Sequence, residues 1–249
     1  MNALTEAQRR AVRYYIGDVE GDAPFWSNGK AYVVLNSLFF PGIETERARA
    51  AEGKRLDPEI LADEGRLIGL LRDLMSAFRP SGIAREVCRV ERHRDFLHME
   101  TAGRTVSFTS TCQSGFLPQY GDRVGVVLMR FLLTPETPCI PMADVLPHYT
   151  KADEDEILLP PYLPLTFRDY APSPAELAIT DANGDPPVRC VIAEPGTMPR
   201  LQSDPLPLPK DGAAAGRRVY AVLTAGETPE DADVLAYTSW KTALLTHLR

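Results

Sequence analysis

The stretch KADEDEILLPP, residues 151–161, drives four consecutive acids, Asp153 to Glu156, into three aliphatics and two prolines. A short apolar run bounded by turn-forming residues reads as a buried strand, with the acids at its mouth. In an extended chain residues i and i+2 share a face about 7 Å apart, which predicts Glu154 and Glu156 side by side and Asp155 turned away. Two carboxylates so placed raise the pKa of at least one of them. Such a pair suits substitution at a sugar C1, where an oxocarbenium-like centre forms while a nucleophile is readied. The plain alternative is a solvated acidic turn ahead of an edge strand.

Upstream of this stretch, REVCRVER (85–92), TVSFTST (105–111) and RVGVVLMRFLL (123–133) also have strand character. Arg89, between Cys88 and Val90, points either into a cleft or onto a solvated face. Alternation puts Ser110 on the side of Phe108 and Val106, where a hydroxyl needs a partner. The first 80 residues have helical period instead. Thr5 and Gln8 form a capping box for a helix over 5–16, and a second helix follows around KAYVVLNSLFF (30–40). A third begins with Asp57 as cap and Pro58 in the first turn, carries its apolar face from Ile60 to Phe78, and stops at Pro80. Helices first and strands afterwards predict an α+β domain. Of the 22 prolines, 12 fall between Pro160 and Pro209, which predicts an irregular connection there. Beyond it RRVYAVLTAG (217–226) reads as a strand and residues 231–249 as a final helix.

The formal net charge of -7 gives no general attraction for phosphate backbones or anionic membranes. No apolar window is long enough to span a bilayer, and the N-terminal stretch has no uninterrupted apolar run of signal-peptide length, so a cytoplasmic protein is expected. Cys88, Cys112, Cys139 and Cys190 lie far apart without a CxxC pair, which predicts buried free thiols and no metal site. Neither GxGxxG nor GxxxxGK[ST] occurs, so no Rossmann or P-loop phosphate cradle is expected.

Taken in order, Arg89, the hydroxyl run Thr109-Ser110-Thr111 and EDEILLPP (154–161) resemble the signature of mono-ADP-ribosyltransferases of the arginine, serine-threonine-serine, glutamate-x-glutamate class, found among bacterial toxins and effectors. The early helix, its tyrosine, and Asn36 and Leu38 in LNSLF agree with that family. Val90 stands where glycine often follows the arginine, and Cys112 where the third hydroxyl is usual. The resemblance implies N-terminal helices packed on a split β-sandwich of two small sheets with an NAD cleft. It covers residues 1–165, helical over 1–80 and strand-rich over 81–165, and leaves 166–249 as an extension without counterpart. It implies that NAD is the substrate and that no metal takes part. Arg89, Ser110 and Thr111 would bind the dinucleotide, Ser110 would orient Glu156, and Glu156 would act at the nicotinamide ribose. Glu154 would hold the acceptor, Phe116 and Tyr120 are the aromatics available to nicotinamide, and Tyr149 is a candidate target contact. The acceptor implied is a protein arginine, with a neutralising or activating partner protein as a further expectation. Three alternatives share the residues: the same transfer to nucleic acid, NAD hydrolysis, and NAD binding without turnover.

Overall fold

The computed structural model describes residues 4–16, 31–40, 43, 47, 61–113, 115–116, 124–145, 155–198 and 206–248. In chain order these form α1 (Glu6–Ile16), α2 (Ala31–Ser37), α3 (Glu64–Ala77), β1 (Arg79–Pro80), β2 (Arg85–Arg92), α4 (His93–Ala102), β3 (Thr109–Cys112) and β4 (Val126–Leu133). There follow β5 (Pro138–Pro141), α5 (Met142–Val145), β6 (Glu156–Leu159), β7 (Leu165–Asp169), α6 (Pro174–Leu177), β8 (Arg189–Pro195), α7 (Gly212–Thr224) and α8 (Asp231–Thr246). Contacts divide the chain into two compact units, Met1–Ala77 with Arg200–Arg249, and Phe78–Pro199. The mixture of helices and antiparallel strands is the expected α+β class. Among the described residues no helix is long and apolar enough to cross a membrane.

The first unit is helical. The capping box at α1 forms as expected, with the Thr5 N–H on Gln8 Oε1 at 2.9 Å and the Gln8 N–H on Thr5 Oγ1 at 3.2 Å. The predicted start of the third helix at Asp57 and Pro58 lies outside the described residues. The helix proper begins at Glu64, where the Asp63 carboxylate accepts the Arg66 N–H at 3.0 Å. RRVYAVLTAG is not a strand: it is the greater part of α7. Its Val and Tyr content suggested a strand, but Ala215, Gly216, Val219, Tyr220 and Leu223 recur at helical spacing on one buried face. That face meets α8 closely, because Gly212 and Gly216 lie against Trp240 and Tyr237. The Tyr220 and Tyr237 hydroxyls bond to each other at 2.6 Å in the interior.

The second unit holds the sheet, in the order β1-β5-β6-β3-β2-β4-β8-β7. Pairing is antiparallel except between β4 and β8, which run parallel from Val127↔Arg189 to Phe131↔Ala193. The β2–β4 ladder extends over the whole of β2, whereas β2 and β3 share the single register pair Cys88↔Cys112. The eight strands form one sheet, and this thin seam has β1, β5, β6 and β3 on one side and β2, β4, β8 and β7 on the other. The expected irregular connection after Pro160 contains β7 and β8, so the sheet continues to Pro195 and does not end near 165. The prolines stay out of the ladder interior: Pro160 and Pro161 follow β6, and Pro195 closes β8. Thr105, fully buried, clamps the turn after β6 by donating to the Pro160 carbonyl at 2.7 Å and accepting the Leu163 N–H at 2.9 Å.

A Cβ on Gly216 would stand 2.6 Å from the Tyr237 ring and 2.8 Å from Leu61 Cδ1. Gly216→Ala should therefore lower stability by about 1–3 kcal/mol, although alanine gains about 1 kcal/mol of helix preference. Thermal or denaturant melting of the variant checks this, and an unchanged or raised midpoint would contradict the close helix contact.

Candidate active site

β2 is covered on both faces, with Val87, Cys88, Val90 and Glu91 buried and Arg89 half-buried among them. A charged side chain in such a strand must be paired, and Arg89 is. Its Nε and Nη2 both meet Glu91 Oε2, at 2.7 and 2.6 Å. Across the seam its Nη1 donates to the Ser110 carbonyl at 2.7 Å.

On β3 the hydroxyls divide their tasks. Thr111 is buried and donates to the Ile157 carbonyl at 2.7 Å, stitching β3 to β6. Ser110 donates to Glu156 Oε1 at 2.7 Å, which supplies the partner that its position demanded. The register sets Cys112 opposite Glu156, so Ser110 reaches the carboxylate along the diagonal. Arg89, Ser110 and Glu156 are therefore one connected chain across β2, β3 and β6.

Asp155 has φ +41°, a left-handed conformation, and β6 begins at Glu156. The extended geometry that set Glu154 beside Glu156 does not run through Asp155. Glu154 itself, with Tyr120 and Tyr149, lies outside the described residues. Phe116 packs against Val90, Val126, Leu128 and Cys190, with the Arg130 guanidinium 5.9 Å from its ring centre. Val90 adjoins Arg89 in sequence, and strand alternation turns the two to opposite faces of β2. Phe116 is thus placed against the other face, and Thr111 serves the β3–β6 junction through its hydroxyl.

Two ion pairs of this sheet were not named from the sequence, one beside Arg89 and one on the opposite face. Glu91 was not singled out, although its place two residues after Arg89 on the same face was a signal that could have found it. The Arg130–Glu176 pair carried no such signal, because 46 residues separate its members. Glu176 Oε1 accepts from Arg130 Nη2 at 2.9 Å and from the Tyr170 hydroxyl, while Oε2 accepts the Ser173 N–H at 2.8 Å and its hydroxyl at 2.7 Å. Burial pushes this carboxyl up, but the bonds from Tyr170, Ser173 and Arg130 together outweigh it and hold Glu176 at about 2. All four cysteines are buried and free. Burial, with Glu86 nearby, pushes the Cys88 thiol up to about 11, so it offers no thiolate at neutral pH. Among the described residues no cluster of three or more His, Cys, Asp or Glu could hold a metal ion.

No family model matches the chain, and no curated protein matches it. Solved structures do. The ADP-ribosylating toxin BECa of a C. perfringens binary enterotoxin, crystallised with NADH, aligns at 13% identity and TM-score 0.48 over 78% of this chain. This chain spans 44% of that protein's length. The Clostridium limosum C3 exoenzyme aligns at 12% identity and TM-score 0.45, over 78% of this chain and 87% of its own. C3stau2 from S. aureus, crystallised with NAD, aligns at 13% identity and TM-score 0.43, over 78% and 88%.

The Glu176 network sets a pH dependence. A carboxyl held below its ordinary value adds stability above about pH 4.5, and that stability is lost as the pH falls toward 2. Glu176→Gln should cost about 3 kcal/mol at neutral pH, and the difference from wild type should shrink between pH 4.5 and 2. Denaturant melts across that range measure it, and a pH-independent difference would contradict it.

Proposed function

We propose that the chain is a mono-ADP-ribosyltransferase that cleaves NAD at the nicotinamide–ribose bond and passes ADP-ribose to a protein arginine. The observation that carries this reading is the connected chain from the Arg89 guanidinium through Ser110 to the Glu156 carboxylate, formed by the residues that the sequence resemblance singles out. A planar cation beside a hydrogen-bonded carboxylate suits a substrate with a diphosphate near a ribose. Arg89 holds the diphosphate, for which a guanidinium has the better geometry. Glu156, fixed by Ser110, takes the ribose 2'-hydroxyl and offsets positive charge growing at C1 as nicotinamide leaves. The Ser110 hydroxyl is spent on Glu156, so its task is orientation. Glu154 receives the acceptor and draws a proton from it; its place two residues before Glu156 supports arginine as the acceptor. A protein target and NAD as substrate belong to this reading. BECa is an ADP-ribosylating toxin and C3stau2 was crystallised with NAD, and the two bear on the reading no further than that.

The test is nicotinamide release from NAD by the full chain, with and without the arginine analogue agmatine. Wild type should release nicotinamide and label agmatine, and Glu156→Gln should lose 100-fold or more of that release, about the scale of removing a charge-stabilising group. Glu154→Ala should keep release to water and lose transfer. Release by wild type that survives in Glu156→Gln, or no release at all, would overturn the assignment.

A further inference from the structure

Arg89 has one side of its guanidinium already committed. Its Nε and Nη2 converge on a single oxygen of Glu91, and its Nη1 turns to the Ser110 carbonyl on the neighbouring strand. Glu91 is no swinging surface acid. It sits two residues along the same strand, its side chain is 8% exposed, and its other oxygen accepts the Arg92 N–H at 3.0 Å. Contacts from two directions define the plane of the guanidinium. A buried carboxylate and a buried guanidinium each need a charged partner, and the pairing orients both.

We infer that Glu91 is a positioning residue that fixes the Arg89 guanidinium in the plane in which it meets an anion. It touches no substrate. It offsets the arginine charge before a ligand arrives, and it removes rotamer freedom that an unpaired arginine would lose on binding. That the anion is the NAD diphosphate rests on the transferase reading above; the hold of Glu91 on Arg89 does not.

The full chain is compared with Glu91→Gln, Glu91→Asp, Arg89→Ala and the Arg89→Ala/Glu91→Gln double variant. Thermal midpoints are followed beside KM and kcat for nicotinamide release and the Arg89 Nε–H resonance by 15N NMR. Glu91→Gln should raise KM for NAD about tenfold with kcat changed less than about threefold, and the aspartate should recover part of the loss. The double variant should be no worse than Arg89→Ala, because the glutamate acts through the arginine. The Arg89 Nε–H resonance should shift and exchange faster in Glu91→Gln. An unchanged KM, or losses that multiply in the double variant, would overturn the inference. If wild type does not process NAD, the transferase reading falls and the resonance decides alone. A resonance unmoved in Glu91→Gln and Glu91→Asp overturns the positioning role, and a moved one upholds the hold of Glu91 on Arg89.

Discussion

The single register pair at Cys88 and Cys112 is the constraint around which the second unit is organised. Where two strands share one pair, the ladder cannot serve the backbone along their facing edges, and other groups must take over. Arg89 does so by donating to the Ser110 carbonyl. The place where the ladder is thinnest is therefore the place where a charged side chain has a structural reason to be. Its charge is offset from within its own strand by Glu91, and the Ser110 that receives it turns its hydroxyl to Glu156. The thin seam in the sheet is bridged by polar side chains.

The rest of the sheet secures that arrangement. β6 must hold a fixed height against β3 for Ser110 to meet Glu156, and the Thr111 bond to Ile157 and the Thr105 clamp on the following turn both act on β6. On the other half, β8 fills the space beside β4, and the Arg130–Glu176 pair ties α6 to the sheet at a point remote in sequence. Phe116 belongs with this packing and not with Arg89.

What could be read from the sequence followed from local rules. REVCRVER is β2 to the residue, because a short run with valines among polar positions is a property of the strand itself. The Thr5–Gln8 box and the last helix were legible for the same reason. The α7 helix was not, because Val and Tyr favour strands, while the two glycines that admit Tyr237 and Trp240 have meaning only once α8 is in place. β8 is hidden by the prolines that surround it, although they stand at its end and outside it. The site divided likewise. Arg89, Ser110 and Glu156 were legible through their resemblance to a known pattern, whereas Glu91 was passed over although its spacing from Arg89 was there to be read. Glu154 lies outside the described residues, and what the sequence did not announce beside it is the left-handed backbone of Asp155, which no alternation rule foresees.

The order of the elements along the chain bears on how the protein is made. Everything the sheet needs lies between Phe78 and Pro199, so this unit can form as soon as that segment leaves the ribosome. The helical unit cannot. Leu61 lies against Gly216, and the Phe40 carbonyl accepts from the buried Lys241 ammonium, a span of 201 residues. Helices made first must wait for α7 and α8 with their apolar faces incompletely covered, while the sheet matures ahead of them. Synthesis thus leaves an interval in which a holding chaperone would find its surface on the early helices and not on the strands.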